Sequence, residues 1–247
     1  MKKNTNLFIY FLAHFLFLGG GFARICELSN TDTCIAFILG TLIGIIILFL
    51  INKVSSDVPF KEYIKKNLKW VVLFICLVGF LALTEDVFNK EIMQGDIIGY
   101  KMISTFLISD FVTPIAKFIT NFGGAVFLSI ATIALLLLIK NKKIGLSIFS
   151  NIVIITILNQ LLKRILRRPR PTEFRIVEET GYSFPSGHSM ISMAFYGYII
   201  YLIYKYVTNK YIKWISIVLL SILICSIGIS RIYLGVHYTS DVLGGFL

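Results

Sequence analysis

Three short blocks in the second half of the chain hold residues that can handle a phosphoryl group: Lys163-x6-Arg170-Pro171, Pro185-Ser186-Gly187-His188 and Ser230-Arg231-x5-His237-x3-Asp241. Together they offer fixed cations, backbone donors at a Ser-Gly turn, two imidazoles and a carboxylate, the set that phosphoryl transfer without a metal requires. The cations can neutralise phosphate oxygens, one imidazole can attack, and the other can protonate a leaving oxygen. No carboxylate cluster and no His/Cys group at metal-ligand spacing accompanies the blocks, so neither a metal nor a cofactor is expected.

Each block lies at the end of a long apolar run, and those runs are the elements that must position it. The chain is 57% hydrophobic with a formal net charge of +11, and its mean hydropathy is +0.83. Candidate spans are Leu7 to Phe22, Ile35 to Ile51, Trp70 to Leu83, Gly123 to Ile139, Ile144 to Leu162, Ser189 to Tyr204 and Trp214 to Ile229. Such runs are the signature of membrane crossing. Each must be helical, because hydrocarbon cannot satisfy free backbone groups. The expected fold is therefore all-α, a polytopic helical membrane protein.

Lys2 and Lys3 precede the first apolar stretch as they would in a signal peptide, but no A-x-A-like cleavage site follows, so a retained helix is expected. His14, isolated within that stretch, reads as a helix-contacting residue. Cys76 and Cys225 read as packing residues within spans, while Cys26 and Cys34 flank a short polar loop and can pair if it faces an oxidising side.

Cation distribution sets the orientation. Lys2 and Lys3, the loop with Lys53, Lys61, Lys65, Lys66 and Lys69, the Lys140–Lys143 turn and the Lys205/Lys210/Lys213 loop all fall on one side if every span crosses. By the positive-inside tendency that side is cytoplasmic. Lys163, Arg164, Arg167, Arg168, Arg170 and Arg175 break the rule by crowding the opposite face. A cluster that topology disfavours implies an anionic ligand. The same count of crossings brings all three blocks to this extracytoplasmic face.

In identity, internal spacing and order, the three blocks resemble the signature of the type 2 phosphatidic acid phosphatase superfamily, which embraces lipid phosphate phosphatases and vanadium haloperoxidases. Taken singly, Pro185-Ser186-Gly187 is an ordinary helix-start turn, Ser230-Arg231 an interfacial anchor and Asp241 a helix N-terminal charge. Their joint occurrence carries the resemblance. It extends from about Trp70 to the C-terminus and includes the segment Ile119-Thr120-Asn121-Phe122-Gly123. The implied organisation is an N-terminal helical pair of unassigned role over residues 1–55 and a helical-bundle phosphatase core over 56–247. Six residues follow Asp241, too few to span a bilayer, so the last helix of that core is expected to be missing from this sequence.

The resemblance assigns roles. His237 would be the nucleophile, with Asp241 four residues on sharing its helix face and accepting from Nδ1. His188 would be the acid. Lys163, Arg170 and Arg231 would neutralise phosphate oxygens, and Ser186 and the Gly187 N–H would donate to them. Arg164, Arg167 and Arg168 lie outside the motif positions and are expected to engage lipid headgroups. Ile92 to Leu107, with Gln94, Asp96 and Lys101, is too polar to span yet apolar enough to lie in the headgroup layer, which suits a lipid phosphate entering sideways from the bilayer.

The implied activity is hydrolysis of a lipid phosphate or diphosphate, such as undecaprenyl diphosphate, phosphatidic acid or phosphatidylglycerophosphate, through a phosphohistidine. Partners would be that substrate and membrane lipids, with no nucleic acid. A lipid phosphotransferase using the same site and a non-catalytic lipid-phosphate-binding relative are the alternatives; binding needs only cations, turnover needs both imidazoles. A transporter would instead carry ionisable residues along its helices.

Overall fold

The computed structural model describes residues 59–89, 93–172 and 175–247, together with 44 and 46. The first two expected spans, His14, Cys26, Cys34 and the boundary after residue 55 lie outside the described residues. The named helices are α1 (Phe60–Phe88), α2 (Gln94–Leu107), α3 (Val112–Asn121), α4 (Ala125–Leu138), α5 (Lys142–Leu166), α6 (Gly187–Tyr206), α7 (Lys210–Tyr233) and α8 (Thr239–Phe246), and no strand occurs among the described residues. The chain divides into two compact units, Met1–Asn89 and Lys90–Leu247. α1 belongs to the first, and all three blocks belong to the second.

Ile64–Phe88 of α1, all of α5 and all of α7 are long and apolar enough to cross a membrane. α3 and α4 meet that test as a pair bent by 43° at Phe122–Gly124. α6, expected to span over Ser189 to Tyr204, falls below it: five tyrosines, His188 and two serines dilute its apolar content. It is also the inner helix of the second unit, packing against α5, α7 and α8. The expected all-helical membrane architecture is thus what the chain adopts.

The helix boundaries follow from side chains that take up loose backbone donors. Asn141 accepts from Lys143 N at the start of α5, and Asn209 accepts from Ile212 N at the start of α7. Ser186 caps α6 by accepting from Ser189 N. α5 ends at Arg167, whose left-handed φ of 49° turns the chain back over the helix end, with Pro169 preventing continuation.

Leu128, Ile148, Phe195, Tyr196, Ile224 and Ile227 form a core between α4, α5, α6 and α7. The outer faces stay apolar, with Leu138 of α4 78% exposed and Ile154 of α5 64% exposed, a surface suited to hydrocarbon rather than water. Cys225, expected in packing, is on that exposed face of α7. Glycines let helices approach closely: a Cβ on Gly245 of α8 would sit 2.9 Å from Ser186 O and 3.0 Å from Met190 N of α6.

α2 departs from its expected role as a mere headgroup-layer segment. It does expose Ile97, Ile98, Met102 and Phe106, but Asp96 on its first turn is 4% exposed and points inward.

Candidate active site

The chain reversal after α5, the first turn of α6 and the loop between α7 and α8 bring the three blocks together. α8 starts at Thr239, so His237 sits just before the helix and Asp241 in its first turn. His237 Nδ1 lies 3.2 Å from Asp241 Oδ2, and the same oxygen accepts from Tyr238 N at 2.9 Å. On the other side of the ring, Arg170 Nη1 lies 3.1 Å from His237 Nε2. A guanidinium has no lone pair to offer, so Nε2 must accept and the ring proton must reside on Nδ1, facing the carboxylate. His237 is therefore held as a neutral imidazole with its nucleophilic lone pair turned toward the cations. Its burial, opposed by Asp241 and reinforced by Arg170 and Arg231, lowers its pKa from 6.5 to about 4.

Arg170 is fixed by protein carbonyls. Its Nη1 donates to Val236 O at 2.9 Å, and its Nε donates to Thr180 O and Gly181 O at 3.2 and 3.1 Å. Lys163, on the last turn of α5, donates to Tyr182 O at 2.5 Å and Ser183 O at 3.2 Å. Arg231, 2% exposed, donates from Nη1 to Thr120 Oγ1 at 2.9 Å, while its buried Nε has no partner among the described residues. A buried donor without an acceptor is costly; a phosphate oxygen would satisfy this one.

At the start of α6, Ser186 is fully buried and Gly187 N–H opens the helix. Ser186 Oγ accepts from Ser189 N and Oγ, so this hydroxyl helps shape the turn. His188 lies within electrostatic reach of Arg231, Glu179, His237 and Arg170. Thr120 and Gly123, from the segment between α3 and α4, complete the wall. Thr120 holds Arg231, and a Cβ on Gly123 would sit 3.4 Å from His188 Cδ2.

Two features escaped the sequence reading. Glu179 spans the phosphate-site cations, pairing with Arg170 Nη2 at 3.0 Å through Oε2 and with Arg231 Nη2 through Oε1. Burial pushes its carboxyl up, but Arg231 and Arg170 outweigh this and hold it below the usual range. Arg168 corrects an expectation outright. It is 8% exposed and far from a headgroup contact, donating to Asp241 Oδ1 at 2.7 Å and to Asp96 Oδ2 at 2.6 Å. Arg164 and Arg167 are exposed. Arg164 is one residue from Lys163 and Arg168 two from Arg170, and that spacing gives no local sign of which way either points; the turn at Arg167 separates the two cases.

Buried His237, half-buried His188, three cations and a helix N-terminus gather at this end of the second unit, a set of groups that can receive a tetrahedral oxyanion. Residues 142–247 match the PAP2 superfamily. A stretch of 92 residues is 42% identical to phosphatidylglycerophosphatase B of Bacillus subtilis, covering 36% of this chain and 45% of that protein. Over 167 residues the chain is 30% identical to an undecaprenyl-diphosphatase of Sulfolobus acidocaldarius, covering 65% of this chain and 72% of the relative. The crystal structure of a transmembrane PAP2-type phosphatidylglycerolphosphate phosphatase from Bacillus subtilis superimposes with a TM-score of 0.61 at 28% identity, covering 69% of this chain and 87% of that one. The chain belongs to the PAP2 superfamily.

Proposed function

We propose that this protein is an integral-membrane phosphatase that hydrolyses a lipid phosphate or diphosphate through a phosphohistidine intermediate at the extracytoplasmic face. The observation that carries the reading is the state of His237, whose Nε2 accepts from Arg170 while Nδ1 faces Asp241. In the first step Nε2 attacks phosphorus and the bond from phosphorus to the lipid-side oxygen breaks; His188, whose pKa burial and Arg231 hold down at about 3, takes up a proton when the phosphate brings its negative charge alongside and gives it to that oxygen. In the second, water loses a proton to His188 and attacks phosphorus, the P–N bond breaks, and inorganic phosphate leaves. Lys163, Arg170, Arg231 and the Gly187 N–H stabilise the equatorial oxygens in both steps.

Three of the relatives' names support a lipid substrate with a terminal phosphate: one acts on phosphatidylglycerophosphate, a second on undecaprenyl diphosphate, and the third is a transmembrane phosphatidylglycerolphosphate phosphatase. Phosphatidic acid shares the same headgroup chemistry. The extracytoplasmic location rests on the positive-inside distribution of the remaining lysines.

The test is phosphate release by the purified protein from a panel of lipid phosphates and diphosphates. EDTA should leave the rate unchanged, and His237→Ala should lower it on the order of 10⁴-fold or more. Acid-labile, base-stable phosphoprotein should be trapped from wild type and absent from the variant. A wild-type rate in His237→Ala, or an absolute and restorable magnesium requirement, would overturn the reading.

A further inference from the structure

We propose that Asp96 of α2 is a positioning residue for the reaction, acting through Arg168 to hold Asp241 in the rotation that serves His237. The inference rests on the reading of His237 as nucleophile and adds a residue that none of the three blocks contains.

The geometry is a closed ionic lattice. Arg168 spends one arm on each carboxylate, with Nη1 to Asp241 Oδ1 at 2.7 Å and Nη2 to Asp96 Oδ2 at 2.6 Å. Asp96 in turn accepts from Ser240 N at 2.7 Å through Oδ1 and from Ser240 Oγ at 2.8 Å through Oδ2. Ser240 Oγ also accepts from Arg168 Nη1 at 2.7 Å. The Arg168 guanidinium lies over the Tyr238 ring, 4.2 Å from its centroid. Asp96, Arg168, Ser240 and Asp241 are all below 10% exposure.

The consequence is a division of labour within one carboxylate. Asp241 gives Oδ2 to His237 and Tyr238 N, and Oδ1 to Arg168. The fork of Arg168 is rigid and planar, so fixing its far arm on Asp96 fixes its near arm on Asp241. Asp96 also anchors the first turn of α8, where the Ser240 N–H would otherwise want an anion. α2 is seated there by close contact, since a Cβ on Gly99 would meet Thr239 Oγ1 at 2.1 Å. Stability alone does not explain such a lattice, because buried ion pairs rarely outperform apolar packing of the same volume. It also differs from the phosphate site: Asp96 carries no free hydrogen-bond donor and lies behind Asp241, so it has no contact to make with a substrate.

The test measures two quantities on full-length Asp96→Asn, an isosteric change that keeps an acceptor and removes the charge. Turnover of a lipid phosphate should fall about 10- to 100-fold in kcat with KM unchanged, the scale on which outer partners of a reacting group act. The dissociation constant for orthovanadate, read by calorimetry, should rise by a similar factor. A merely structural loss would lower the active fraction and leave that constant alone. Asp96→Glu should recover part of both. An unchanged vanadate constant together with an unchanged kcat in Asp96→Asn would overturn the proposal. If wild type binds vanadate without turning over lipid phosphates, the phosphatase reading fails while the vanadate comparison still decides the role of Asp96.

Discussion

At the scale of single residues, most of the site's cationic donors are already occupied by the protein, the Nε of Arg231 excepted. Arg170 and Lys163 rest on carbonyls, and Glu179 lies across Arg170 and Arg231 where a phosphate would bind. On the proposed function, an incoming phosphate displaces that carboxylate. Glu179→Gln should therefore strengthen competitive inhibition by vanadate roughly five-fold, the equivalent of about 1 kcal/mol for a partly solvated ion pair. Weaker inhibition would mean that Glu179 organises the arginines instead of competing for them. The pH profile follows from His237. Its pKa, lowered to about 4 from 6.5, leaves Nε2 free at every pH above about 4. The acid limb of kcat/KM should accordingly fall as pH drops through about 4, below the position of an ordinary histidine; a limb centred near 6.5 would show an unperturbed ring. The pairing of His237 with Asp241 was legible from its four-residue spacing, and the other block residues from the order and internal spacing of the blocks, although Arg170 meets His237 across 67 residues and Arg231 meets Thr120 across 111. Glu179 and Asp96 were not, since Glu179 bridges Arg170 to an arginine 52 residues on and Asp96 reaches partners 72 and 144 residues away, and nothing in the local pattern of either marks those partners.

At the scale of elements, the decisive seam is where α8 lies on α6. A Cβ on Gly245 would approach Ser189 Cβ at 2.8 Å and the backbone of Ser186 and Met190 at 2.9 and 3.0 Å, and backbone cannot swing aside. Gly245→Ala should push α8 from the Ser186–His188 turn, destabilising the protein by about 1–3 kcal/mol as overpacked cores do. It should also lower kcat more than ten-fold. Gly197→Ala, with nothing within 4 Å of its Cβ, should do neither. Thermal unfolding in detergent and lipid phosphatase assays of the two variants make the comparison. A wild-type melting temperature and rate in Gly245→Ala would show that the seam relaxes. The helices themselves were largely legible from hydropathy: α1, α5, α6 and α7 each contain an expected span, and α4 lies within one. What hydropathy missed was α3, and the bend that joins it to α4, because a ten-residue helix is too short to announce itself by apolar length.

At the scale of the whole molecule, the lysines and the site predict opposite exposures for the two ends of α5. Its 25 residues extend about 37 Å at 1.5 Å each, enough to cross a bilayer. Thr180, in the loop that closes over Arg170, and Asn141, at the start of α5, are both exposed. With the native cysteines replaced, Thr180→Cys should react with a membrane-impermeant thiol reagent on intact cells, and Asn141→Cys only after permeabilisation. The reverse pattern would move the chemistry to the cytoplasmic face. The inner position of α6 has a consequence for biogenesis. With five tyrosines and a polar first turn, this helix does not reach by itself the span criterion that α5 and α7 meet. Its insertion should therefore depend on α7 more than theirs does on their neighbours, the two entering the bilayer as a hairpin. Two of its tyrosines are used inside, Tyr196 donating to Phe122 O at 2.8 Å and Tyr198 sharing a 2.8 Å hydrogen bond with Ser147. A chain stalled before α7 should accordingly leave the helix that carries Gly187 and His188 more open to protease than the full chain does, and equal protection of the two would show that it inserts without its neighbour.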